Sequence, residues 1–151
     1  MKRSGKGDCE KRHTPEQIEG LLRKAGLQPT AQRIAICRYV LCQADHPTAE
    51  DVKRWADREL PKCSLATVYN TLAALTKAGL LIELRLSHSD SVVYDMNTSK
   101  HFHFLDEKTG KLYDVEEDEL DLELKLRGGL KAERVEVLIR GSAAPGRRPR
   151  A

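Results

Sequence analysis

No apolar run in this chain is long enough to cross a bilayer, so no membrane-spanning helix is expected. The opening residues, Met1 to Asp8, include basic side chains but are followed by no apolar segment, so a secretory signal is not expected there. Cysteine is scarce. The four present are Cys9, Cys37, Cys42 and Cys63, and no two form a Cys-x-x-Cys pair. A disulfide frame and a zinc ribbon are therefore not expected, and all four read as reduced thiols of a cytoplasmic protein. The length, 151 residues, allows one domain or two small ones.

What is present is unevenly distributed charge. Residues 1–96 carry 15 Lys/Arg against 12 Asp/Glu, a net of +3, and residues 97–140 carry 8 against 11, a net of −3. Residues 142–151 add three arginines and no acid. A basic front and an acidic back suggest a nucleic-acid-binding unit joined to something else, although a solvated basic face gives the same excess.

The front half reads as helices. Thr14-Pro15-Glu16-Gln17 is a start signal, with a capping Thr, a Pro at the first helical position and a Gln three residues after the cap. Ile18, Leu21, Leu22 and Ala25 follow at helical spacing up to Gly26. A second helix begins at Thr30 with the stripe Ile34, Cys37 and Leu41. After His46-Pro47, Thr48 caps a third helix carrying Val52, Trp55 and Ala56, which Pro61 stops. Ser64 caps a fourth, whose Leu65, Val68, Leu72 and Leu75 are expected to face inward. Its outer face then shows Ala66, Thr67, Tyr69, Asn70 and Ala73, with no charge before Lys77. A solvated helix usually carries more Lys and Glu. This face suits a DNA major groove, where Thr and Asn bond base edges and Ala or a Tyr ring packs on thymine methyls. Two short β-type runs follow, 80–84 and 91–95, joined by a polar turn. Helices followed by a hairpin make a winged helix-turn-helix, and a small helical domain without a DNA role is the bland alternative.

The back half changes character. Strands are expected over 101–106 and 111–115 around Thr109-Gly110, an amphipathic helix over 116–126, and a third strand over 133–140. This β-α-β unit is too small to hold much core alone, so it is expected to pair with a copy of itself. The fold class is therefore α+β: a flexible N-terminus 1–13, a winged-helix DNA-binding domain 14–96, a small α/β dimerisation and metal-binding domain 97–141, and a disordered basic tail 142–151.

His101 and His103 stand two apart, so in a strand both imidazoles share a face, with Phe102 and Phe104 on the other. Asp95 and Asp114 bracket them. Same-face imidazoles with carboxylates nearby suit a divalent cation of the iron, manganese or zinc kind, and a surface His pair on an ordinary strand has the same spacing.

Three segments carry a resemblance: Gly26-Leu27-Gln28-Pro29-Thr30-Ala31-Gln32-Arg33, then His46-Pro47-Thr48-Ala49-Glu50-Asp51, then Ser64-Leu65-Ala66-Thr67-Val68-Tyr69-Asn70-Thr71-Leu72. In order and spacing the chain from Gly26 to Asp114 resembles the ferric uptake regulator family of bacterial repressors, and its pattern continues to Arg140. The resemblance implies a homodimer that binds palindromic, AT-rich operator DNA when a metal fills a regulatory site. It carries the family's regulatory ligands onto His46, Asp95, His101, His103 and Asp114, to hold one Fe(II) or Mn(II) per subunit, with Zn(II) an in vitro substitute. On DNA, Tyr69, Asn70 and Thr67 are expected to touch bases, and Arg33, Lys53, Arg54, Lys62 and Lys77 to contact phosphates, with ordinary surface charge the alternative for these basic residues. Gln28 stands where relatives often place a basic residue for the minor groove.

Departures are informative. Many relatives hold a structural zinc in two Cys-x-x-Cys pairs. The first would fall on Asp106 and Thr109, and the second just after Arg140 on Gly-Ser-Ala-Ala-Pro, so no structural zinc is expected. Tyr69-Asn70 and Asp114 look like the peroxide-responsive repressors, while the missing cysteines look equally like iron-response regulators without a structural zinc. Two other readings stay open: a metal-independent winged-helix regulator with a vestigial site, and a small non-haem iron enzyme built on the His-x-His pair. A regulator rather than an enzyme is the expectation, because five candidate protein ligands leave little room for substrate.

Overall fold

Local chemistry sets each helix of the first unit. The structure, a computed structural model, describes Cys9, residues 13–87 and residues 89–147. Helix α1 (Pro15–Lys24) opens on a reciprocal cap: the Gln17 amide donates to Thr14 Oγ1 at 3.4 Å and the Thr14 amide to Gln17 Oε1 at 3.0 Å. Gly26, at φ +75°, lets the chain turn out of it. Helices α2 (Ala31–Cys42), α3 (Ala49–Glu59) and α4 (Leu65–Lys77) start from Thr30, Thr48 and Ser64, each accepting a backbone N–H three residues on. Thr48 adds a second reciprocal cap with Asp51.

Two apolar stripes differ from expectation. In α2 the buried face is Ile36, Cys37, Val40 and Leu41, while Ile34 is only partly buried. In α4, Val68, Leu72 and Leu75 are fully buried but Leu65 is 43% exposed. Leu65 is the first residue of its helix, one turn beyond the core. The buried Thr71 hydroxyl is satisfied by donating to the Thr67 carbonyl at 2.7 Å. Leu72→Ala should therefore cost about 2–5 kcal/mol, and Leu65→Ala less than about 0.5 kcal/mol, as read from urea melts. Equal effects would refute this assignment of the stripe.

Strands β1 (Ile82–Arg85) and β2 (Val92–Asp95) pair antiparallel, Ile82 opposite Asp95. Thr48 bridges Val93, and the Tyr94 amide donates to the Pro47 carbonyl at 2.9 Å. These bonds tie the wing to the turn that enters α3. The expectation of four reduced thiols fails. Cys9 is 2% exposed and joined to Cys42 by a disulfide, while Cys37 and Cys63 are free and buried. The two cysteines lie 33 residues apart with no motif linking them, so pairing was invisible in one dimension. Residues 1–8 and 10–12 of the expected flexible N-terminus, and the tail's last residues 148–151, lie outside the described residues.

The chain divides into two units, the first running to Thr98 and the second starting at Ser99. In the second, β3 (Phe102–Asp106) lies between β4 (Leu112–Val115), antiparallel to it, and β5 (Leu138–Gly141), parallel to it. Asp106 holds the β3–β4 turn. Its carboxylate accepts from Thr109 Oγ1 at 2.8 Å and the Lys108 amide at 3.1 Å, and the Thr109 bond is the main cause of its lowered pKa. The chain as a whole is α+β.

The helix expected over 116–126 is absent. A single 3-10 turn (Glu117–Glu119) ends at Leu120, itself extended, and gives way to chain outside helix and strand, and β5 is shorter than the strand expected over 133–140. The leucines at 120, 122, 124 and 126 recur every two residues, which on a helix scatters them around the axis. That spacing is the strand period.

Candidate functional site

Among the described residues, each unit brings imidazole and carboxylate side chains together. In the first, His46 takes a left-handed backbone, φ +48°, just before Pro47. This conformation costs a non-glycine residue on the order of 1 kcal/mol. It brings the ring between two carboxylates. Nδ1 lies 2.8 Å from Asp45 Oδ1, and Nε2 lies 3.5 Å from Asp95 Oδ2. A carboxylate only accepts, so Nδ1 carries the hydrogen, and in the neutral ring Nε2 presents its lone pair toward Asp95. Asp95, 1% exposed at the end of β2, also accepts the Asn97 amide at 2.8 Å through Oδ1, which fixes its plane.

In the second unit, His103 on β3 stands directly opposite Asp114 on β4. His101 lies just outside the strand. Its Nδ1 is 2.7 Å from the Ser99 carbonyl, so that nitrogen is the donor and Nε2 again carries the lone pair. This Nε2 is 2.9 Å from His103 Nε2 and 3.8 Å from Asp114 Oδ1. Bonds of about 2.1 Å to a divalent cation set neighbouring donors roughly 3.0–3.4 Å apart. His46 Nε2–Asp95 Oδ2 at 3.5 Å and His101 Nε2–His103 Nε2 at 2.9 Å lie at the edges of that range, whereas the 3.8 Å from His101 Nε2 to Asp114 Oδ1 is longer than it; the nitrogen and oxygen donor set suits Fe(II), Mn(II) or Zn(II).

The DNA-facing set divides. Tyr69 is 44% exposed, and Asn70, Lys62 and Lys77 are exposed. Lys62 sits at φ +42° in the turn before α4, and Gln32 Nε2 donates to the Pro61 carbonyl of that turn. Thr67 is half-buried, its hydroxyl 2.9 Å from Ser64 Oγ. Arg33 donates from Nη1 to the Gln28 carbonyl at 2.9 Å, and its Nε is buried. Lys53 and Arg54 are paired with Asp57 and Asp51 on their own helix. Asp45, the Ser99 carbonyl and Glu50, which accepts from the Tyr69 hydroxyl at 3.3 Å, were missed in the sequence. The adjacency of Asp45 to His46 was the one available signal.

Comparison with known proteins decides the family. The model of the ferric uptake regulator family matches residues 24–137. The chain belongs to the ferric uptake regulator family. A peroxide-responsive repressor PerR of Staphylococcus epidermidis is 38% identical over 109 residues, covering 72% of each chain. Its counterpart in Staphylococcus aureus is 36% identical, covering 72% of this chain and 73% of its own. Among solved structures, the ferric uptake regulator from Pseudomonas aeruginosa with manganese matches with a TM-score of 0.59 at 21% identity, over 83% of this chain and 97% of that one. A zinc-bound manganese uptake regulator matches at 0.61 and 22%, over 84% and 98%. These likenesses show the fold: an N-terminal winged helix-turn-helix unit followed by a smaller unit. Members of the ferric uptake regulator family are transcription regulators, so this chain is a regulator and not an enzyme. Among the described residues no helix is long and apolar enough to cross a membrane.

Proposed function

We propose that this ferric uptake regulator family member is a cytoplasmic, homodimeric repressor whose grip on operator DNA depends on one regulatory divalent cation per subunit. One observation carries the reading. In each unit an imidazole with its Nδ1 hydrogen engaged turns Nε2 toward a carboxylate. His46, Asp95, His101, His103 and Asp114 would hold Fe(II) or Mn(II), with Zn(II) able to substitute in vitro. No Cys-x-x-Cys pair is present for a structural zinc. Ligands drawn from both units would fix the angle between them, and with it the spacing of the two α4 helices across a dimer, which must match the half-site spacing. Tyr69, Asn70 and Thr67 would read bases of an AT-rich palindrome. Lys62, Lys77 and Arg33 would contact phosphates, Arg33 from a guanidinium already tethered to the backbone.

The likeness to peroxide-responsive repressors favours peroxide as the signal, with iron sensing the alternative. Bound Fe(II) would supply redox chemistry toward hydrogen peroxide. His46 or His101 would be the side chain to gain oxygen, and an oxidised imidazole would hold metal poorly. None of the cysteines is needed for this. Titration of an AT-rich palindromic duplex in Mn(II) and in chelator tests the metal switch: equal affinity in both rejects it. Mass spectrometry of the iron-loaded chain after mild peroxide tests the signal. One added oxygen on the peptide holding His46 or His101 is expected, and its absence points to iron or haem sensing.

A further inference from the structure

Beyond the 3-10 turn, residues 121–134 run exposed and outside every helix and strand. Among the described residues, none of their backbone groups bonds to another element. Leu122, Leu124 and Leu126 are 49%, 51% and 46% exposed, unusual for leucines recurring on one face. The segment Asp121-Leu122-Glu123-Leu124-Lys125-Leu126-Arg127 alternates leucine with charge, acids first and bases last. In extended chain the leucines share one face and the charges the other. The Lys125–Glu123 contact at 2.9 Å, two residues apart, agrees with that alternation.

Such a segment is complementary to its own reverse. We propose that residues 121–127 form a strand that pairs antiparallel with the same strand of a second copy, centred on Leu124. The proposal rests on the homodimer reading above and specifies its contact. About this centre, Asp121 faces Arg127 of the partner subunit and Glu123 faces Lys125 of the partner subunit. Leu122 faces Leu126 of the partner subunit, and Leu124 faces Leu124 of the partner subunit. Every charge meets its opposite, and the contact is isologous, as a two-fold dimer requires. Other arrangements lose this. Centring on Leu122 sets Asp121 against Glu123, centring on Leu126 sets Lys125 against Arg127, and parallel in-register pairing sets every charge against its like. The charge order therefore selects one register. The unpaired N–H and C=O groups of the segment supply the ladder.

Cross-linking and charge reversal test the register on the full chain. Under a mild thiol oxidant, Leu124→Cys should give a covalent dimer linked at position 124, since facing residues lie within disulfide range. Leu122→Cys should not, because its copies would be about 14 Å apart along the strands. In sedimentation velocity, Lys125→Glu should weaken the dimer about tenfold by opposing like charges twice, and Glu123→Lys with Lys125→Glu should restore it. A dimer that cross-links equally from both positions, or ignores the charge reversal, overturns this register while leaving the dimer. A chain that stays monomeric at all concentrations overturns the homodimer reading and this contact together.

Discussion

His46→Ala should abolish the response of operator affinity to Mn(II) while leaving the chain folded. The imidazole is the ligand the first unit has prepared most completely. Its Nδ1 is engaged by Asp45, its Nε2 faces Asp95, and its backbone is held left-handed by the turn into α3. Loss of an orienting partner around a metal ligand typically weakens affinity about 10–100-fold, and loss of the ligand itself should reach at least the upper end. Coupling between metal and DNA sites is typically about 1–3 kcal/mol, so affinity in Mn(II) should fall to the chelator value, roughly 5–150-fold. Asp45→Asn keeps the imidazole and removes the charge that orients it, and should give an intermediate loss in Mn(II) titrations. If His46→Ala and Asp95→Ala both retain the full Mn(II) response, the ligand assignment is wrong.

Reduction of the Cys9–Cys42 disulfide should cost about 3–4 kcal/mol of stability. The link closes a 33-residue loop spanning α1 and α2, and its removal frees that loop in the unfolded chain. Urea melts with and without a phosphine reductant measure the cost, and Cys42→Ser without reductant should match the reduced chain. Cys37 does not offer an alternative partner. Burial pushes its thiol up to about 12, which keeps it protonated and unreactive at neutral pH. A change below about 1 kcal/mol would mean that the link contributes little beyond packing already made by buried Cys9.

Legibility followed the range of the interaction. Caps at Thr14, Thr30, Thr48 and Ser64 act over three residues, and all four are read directly from the sequence. The His103–Asp114 pairing follows from strand alternation about the Thr109-Gly110 turn. Failures came where two rules competed or where contacts were long-range. The leucine run after Glu119, expected as an amphipathic helix, has the spacing of a strand instead. Leu65 fits the α4 stripe by period but lies past the core's edge. The orientation of His46 by Asp45 depends on a left-handed residue before proline, a position that sequence preference argues against. The Cys9–Cys42 link needs three dimensions to see.

The Tyr94–Pro47 bond and the Thr48–Val93 bridge bear on how fast a cation is captured as well as how tightly. They lace the strand ending in Asp95 to the turn bearing His46, so these two side chains share one backbone scaffold from the moment the unit folds. The entropy of bringing them together is then spent in folding, and little ordering remains for the arriving ion to impose within that pair. The Tyr94 amide, donor of that bond, should therefore exchange its hydrogen slowly even in chelator, marking a half-site that is assembled before the metal arrives.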